Sequence, residues 1–266
     1  MYSTEERRAY FEKAIREIGA SNIVEGIVQL GSGVIGYNDE HSDIDLMVAT
    51  TKIEDAENTR DFVRETLSSF DTSYIKEKQF RKDIFLVIAI LQNGLEFNVS
   101  IVPREFLSVK SPLWKVVLDK TGLVTEKMET ENEKFENKQV KYNVGIDVVF
   151  EFVYCALALE KELKRNNLIY AVKKLEDMRD YTLIVQALNE DKKLHQFKAY
   201  ETLNPDFIES YLSTYSGEVT ADNIRVSAEK VKELFMKTVK QSSIFTMDQD
   251  LEQLLNKRSH DVKTAW

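Results

Sequence analysis

Two carboxylates, Asp43 and Asp45, flank a single isoleucine at the head of an apolar run in HSDIDLMVAT (41–50). Side chains alternate along a strand, so both acids share one face while Ile44 takes the other. Like charges beside a buried sheet repel and are costly to desolvate, and a divalent cation is the most direct offset. Mg2+ suits such a pair, because it takes a few carboxylates and fills its other positions with water and phosphate oxygens. A third acid, Glu96, lies in LEFNVSIV (95–102), a strand of the kind that would run beside 43–50. Asn98 and Ser100 share its face and Phe97 takes the other. Upstream, the β-branched run NIVEGIVQL (22–30) ends at Gly31-Ser32-Gly33. A glycine there lets backbone approach a phosphate, successive amides make an anion nest, and the Ser32 hydroxyl can donate to a phosphate oxygen. Nest, paired acids and third acid suit the binding of a metal–triphosphate and transfer of its phosphorus.

Each residue alone has a plainer reading. Asp43 after Ser42 is a turn residue and Asp45 a guard of a strand edge. Gly31 and Gly33 make a tight turn, Ser32 caps a helix, and Glu96 is a solvated strand residue. The spacing of all of them together favours the metal reading. His41, His195 and His260 read as solvated histidines without a partner pattern.

Composition narrows the class. The chain has 266 residues, 43% hydrophobic and 30% charged, as in ordinary globular proteins. Its 3 prolines and 9 glycines are few for an all-β sandwich and favour long helices. The single cysteine, Cys155, excludes an internal disulfide and a cysteine zinc site, and reads as a small buried hydrophobe. The charged amphipathic start is no secretory signal, and the apolar run 85–91 is too short to span a bilayer, so a cytoplasmic location without membrane attachment is expected. A net charge of −9 without a basic stripe disfavours nucleic-acid binding, which depends on dense Lys and Arg.

The elements that must position the acids follow from periodicity. Residues 3–19 read as a helix capped by Ser3 with Glu6 three residues on. Strands are expected at 22–30 and 43–50, a helix at 54–69, and a hairpin of 83–91 and 95–102 around Gln92-Asn93-Gly94. Residues 109–127 read as a connector with a short helix and an extended piece. Helical patterns then cover 131–164, 168–189, 194–215, 220–240 and 247–257. The expected fold is α+β: a catalytic domain at 1–127 with a small mixed sheet flanked by helices, then a helical bundle at 128–266 closing a substrate cleft.

Gly31-Ser32, ten intervening residues, Asp43-Ile44-Asp45 and a later acid on a strand resemble the signature of the DNA polymerase beta-like nucleotidyltransferase superfamily. Within it the chain is similar to the bacterial aminoglycoside and lincosamide nucleotidyltransferases. LEFNVSIVP, LWKVVLDKTGLV (113–124) and the helical stretch 150–183 carry that likeness. The resemblance implies an enzyme that uses Mg2+ held by Asp43, Asp45 and Glu96. It would transfer a nucleoside monophosphate, AMP from ATP, to a hydroxyl of a small molecule such as an aminoglycoside or lincosamide antibiotic. Gly31, Ser32, Ser42 and Arg179 are the nucleotide contacts it implies. Many members carry Asp as the third acid, and whether Glu96 serves as base or ligand stays open.

Other readings keep the fold. One is a nucleotidyltransferase that modifies a protein, as in toxin–antitoxin pairs; another is a nucleotide-binding module without catalysis, which the presence of all three acids disfavours. Lys173, Lys174 and Arg179 otherwise form an exposed helix face paired with Glu176, Asp177 and Asp180 at helical spacing. Tyr142, Phe150, Phe152 and Tyr154 read as core aromatics. The acceptor, the preferred nucleotide and the oligomeric state are not legible.

Overall fold

A computed structural model describes residues 2–36, 42–138, 141–142, 144–192 and 200–256. The chain divides into two compact units, Met1–Gln139 and Val140–Trp266.

The first unit opens with helix α1 (Thr4–Gly19), whose start is the expected capping box. Glu6 N–H donates to Ser3 Oγ at 3.1 Å and Ser3 N–H donates to the Glu6 carboxylate at 2.7 Å. Strand β1 (Val24–Leu30), strand β2 (Ile44–Thr50) and helix α2 (Ala56–Ser68) follow. Next come β3 (Thr72–Arg81), β4 (Ile84–Leu91), β5 (Glu96–Pro103), β6 (Trp114–Asp119) and helix α3 (Leu123–Glu136). The sheet order is β3-β4-β5-β2-β1-β6. Only β2 and β5 pair in parallel; every other pair is antiparallel. The β4–β5 hairpin turns where Asn-Gly predicts, with Gly94 at φ 87°.

Alternation divides the sheet. Ile44, Leu46, Val48, Val87, Phe97 and Val99 pack against Ala14 and Ile18 of α1 and Val63 and Leu67 of α2. Asp45, Asn98 and Ser100 take the opposite face by the same alternation. On that second face α3 lies over the β1 end. A Cβ on Gly26 would come within 2.7 Å of the Leu118 carbonyl and 2.9 Å of Val124 Cγ2, so Gly26 is the price of that close approach.

No element was expected over 72–81, and two expected bounds need correction. TSYIKEKQFR carries too many charges to read as a strand, yet it forms β3, an edge strand with Lys76 and Lys78 on one face, a usual guard against edge pairing. The extended piece and short helix expected over 109–127 are β6 and the start of α3. Asp119 sets that start: its carboxylate accepts from the N–H of Thr121, Gly122 and Thr125 at 2.8–3.2 Å and from Thr125 Oγ1 at 2.7 Å. The helix expected over 131–164 is two helices. The division between units accordingly falls after Gln139 rather than after residue 127, because α3 packs with β6 in the first unit.

The second unit contains α4 (Val148–Lys164), α5 (Leu168–Asn189), α6 (Pro205–Leu212), α7 (Ala221–Lys240) and α8 (Gln249–Asn256). Asp147 caps α4 by accepting from Phe150 N–H at 3.1 Å. Phe152 of α4 stacks on Phe235 of α7 at 3.6 Å, and Leu159, Leu175 and Met178 complete the core around them. Phe152 and Cys155 are buried as expected, but Phe150 and Tyr154 are exposed and stack on each other. Of the helix expected over 194–215, residues 200–215 are described, and of these α6 alone is α-helical. Among those residues no helix is long and apolar enough to cross a membrane.

Candidate active site

Three strand ends converge. Because β2 and β5 run parallel, Ile44 pairs with Phe97 and Asp45 with Asn98. This register carries Asp43, just before β2, alongside Glu96 at the head of β5. Antiparallel pairing sets Leu30, the last residue of β1, opposite Asp45. The Gly31-Ser32 turn therefore leaves the sheet at the same end as the three acids.

The carboxylates feel one another. Burial and then the Glu96 charge push Asp43 up to about 6. Burial and then the Asp43 charge push Asp45 up to about 6 as well, with a smaller push from Glu96. The side-chain amide of Asn98 donates to Asp45 and opposes part of that rise. Each cause except the Asn98 bond disfavours the charged forms, so the group is short of positive charge. Among the described residues no set of three His, Cys, Asp or Glu side chains stands as a ready cation cage. A pair of carboxylates plus phosphate oxygens and water is nevertheless a normal Mg2+ shell, and the like-charge donor set at this sheet end fits that ion.

The glycine-serine turn differs in detail from the nest expected of it. Residues Gly31–Ile35 form one 3-10 turn, and Gly31 takes φ 69°, a left-handed bend that favours glycine. The Gly31 N–H donates to the Leu113 carbonyl at 3.1 Å and is thereby committed to the fold. Ser32 and Gly33 head the turn, where the first amides lack partners within it. Ser42 is buried, and its carbonyl accepts from Tyr2 Oη at 3.1 Å and Arg7 Nη1 at 3.2 Å. His41, with residues 37–41, lies outside the described residues, as do His195 and His260.

Arg179 is not a solvent-facing cation. It is buried on α5 at 3% exposure. Its Nε donates to Thr214 Oγ1 at 3.0 Å and its Nη2 to the Thr214 carbonyl at 2.7 Å. Its Nη1 pairs with Glu176, and the guanidinium lies 3.9 Å from the Tyr215 ring centre. These bonds tie α5 to the end of α6 and give Arg179 a packing role there. Lys174 pairs with Asp177 at 2.5 Å, the helical-spacing pair expected of that face.

Asn98, Tyr2 and Arg7 carry contacts that spacing alone did not assign. Arg7 had one legible signal: it sits on the stripe of Phe11, Ala14 and Ile18, an arginine where a hydrophobe belongs.

No curated protein matches the chain. Among solved structures it is similar to an aminoglycoside 6-adenyltransferase from Bacillus subtilis, at 15% identity over 100% of both chains with a TM-score of 0.46. It is also similar to a nucleotidyltransferase-like protein from Exiguobacterium sibiricum, at 13% identity over 90% of this chain and 76% of that one, with a TM-score of 0.39. At these scores the likenesses add no weight of their own. The streptomycin adenylyltransferase family model, by contrast, matches residues 21–257, nearly the whole chain. An α+β chain with paired acids at one sheet end and a match of that extent is a nucleotidyltransferase, and it belongs to the streptomycin adenylyltransferase family.

Proposed function

We propose that the protein transfers AMP from ATP to a hydroxyl of a cationic small molecule of the aminoglycoside type, with Asp43, Asp45 and Glu96 as the reacting centre. The observation that carries this reading is the register-enforced meeting of the three acids beside the Gly31-Ser32 turn. Asp43 and Asp45, with Glu96 beside them, would hold Mg2+. When bound, the ion offsets their charge and neutralises the triphosphate. Ser32 donates to a phosphate oxygen, and the Ser32 and Gly33 amides offer further donors. Glu96 takes the proton from the acceptor hydroxyl as its oxygen bonds to the α-phosphorus; the bond to the bridging oxygen breaks and pyrophosphate leaves. Positioning and charge neutralisation dominate such a transfer.

The acceptor class rests on charge. The chain carries 45 Asp and Glu against 36 Lys and Arg. An anionic nucleotide gains nothing from that excess, whereas a polycationic acceptor is drawn to it. The test is incubation with Mg2+, α-labelled ATP and a panel of aminoglycosides and lincosamides, followed by a salt titration. Label should move to a cationic acceptor, and the KM for that acceptor should rise with NaCl, since exposed charges are screened over about 8 Å at physiological salt. Label on no member of the panel at any salt overturns the acceptor assignment. A labelled protein substrate instead would favour the protein-modifying reading.

A further inference from the structure

We infer that Tyr2 and Arg7 are positioning residues for Asp43, acting together through the Ser42 carbonyl. This rests on the nucleotidyl-transfer reading above. Tyr2 just before α1 and Arg7 in its first turns, 40 and 35 residues earlier in the chain, both donate to one oxygen: Tyr2 Oη at 3.1 Å and Arg7 Nη1 at 3.2 Å. Arg7 is fully buried, at 0% exposure, and its guanidinium stands 6.0 Å from the Tyr2 ring centre. Burying an arginine is costly unless its donors meet acceptors, and one acceptor here is the peptide that enters the active site.

That peptide is rigid. The Ser42 carbonyl and the Asp43 N–H and Cα lie in one plane, so holding the oxygen orients the plane that carries Asp43. On its other side, Asp43 is anchored by the first β2–β5 pair, Ile44 with Phe97. Asp43 itself precedes the strand and lacks a ladder partner of its own. The two hydrogen bonds to Ser42 O therefore supply on the loop side what the sheet supplies on the other. Without them, the peptide plane that carries Asp43 loses two contacts on the loop side and the carboxylate shifts from the position shared with Asp45 and Glu96. A displacement of about 1 Å in a positioned group can cost on the order of 100-fold in rate.

The test compares Tyr2→Phe, Arg7→Met and Arg7→Lys with the unaltered protein. Calorimetry measures binding of Mn2+ with a non-hydrolysable ATP analogue; steady-state kinetics gives kcat and the acceptor KM; thermal melting gives stability. Tyr2→Phe keeps the ring and removes one donor, so metal–nucleotide binding should weaken about threefold to tenfold, the worth of one hydrogen bond. Acceptor KM should not move with it, and the melting temperature should fall by no more than the loss of one hydrogen bond explains. Arg7→Met should weaken binding further and Arg7→Lys should restore part of the loss. Should Arg7→Met fail to fold, Tyr2→Phe and Arg7→Lys decide. Unchanged binding in those two variants, or a loss matched equally by acceptor KM and stability, overturns the positioning role and leaves the transfer reading standing. Absence of metal-dependent nucleotide binding in the unaltered protein overturns both.

Discussion

Asn98 sits directly across the parallel β2–β5 pair from Asp45, and its side-chain amide donates to the Asp45 carboxylate. The bond stabilises the charged form of an acid that burial and two neighbouring carboxylates push the other way. Replacing Asn98 with Ala should move the acid limb of the activity profile to higher pH. Asn98→Asp should add a fourth negative charge, lower the melting temperature of the metal-free protein, and have that loss reversed by Mg2+. Thermal melts with and without Mg2+, and a pH–rate profile, check both.

Asp45→Asn should leave a folded protein that has lost transfer by at least about 100-fold, since it removes charge stabilisation at the reacting phosphate without changing volume. Metal-free stability should hold or rise, because one of two repelling acids is gone. A variant with unaltered turnover would remove Asp45 from the site.

Glu96→Gln should lower kcat by about 10²–10⁴, as loss of a general base does. Binding of Mn2+ with an unreactive ATP analogue separates its two roles. Binding that survives marks a base, and binding that falls with kcat marks a ligand.

The metal-free protein should become less stable as pH rises through the range set by Asp43 and Asp45. Both acids stand at about 6 in the folded protein against an ordinary 3.8. The folded state thus holds protons more tightly than the unfolded state. The stabilisation is full below about pH 4 and is lost as pH climbs through 6. Metal affinity should run the opposite way and fall below pH 6, where protons compete for the same oxygens. Melting temperature and Mn2+ titration, each from pH 4 to 8, test the pair of trends.

Arg179→Met should destabilise the helical unit by about 1–3 kcal/mol, since the Thr214 carbonyl loses its guanidinium donor and Thr214 Oγ1 keeps only its bond to the Tyr211 carbonyl. The KM for ATP should stay where it was. A selective rise in that KM without loss of stability would return Arg179 to the nucleotide.

Much of the arrangement of the candidate site was legible because it is written in local periodicity. The Asp43–Asp45 alternation, the strand that bears Glu96, the Asn93-Gly94 turn and the Ser3–Glu6 capping box each depend on residues within a few positions of one another. What tertiary structure decided were partnerships between distant segments. The parallel register chose Asn98, rather than Glu96, as the neighbour of Asp45. The Leu113 carbonyl took the Gly31 amide that spacing alone offered to a phosphate. Thr214 took the Arg179 guanidinium. Strand β3 exists because β4 offers it a ladder, although its own residues are too charged to announce a strand. The physical reason is common to all of these. Periodicity states which face a side chain takes, whereas a hydrogen-bond partner is selected by whichever donor or acceptor the folded chain brings within about 3 Å, and that choice is made only when segments far apart in sequence have packed.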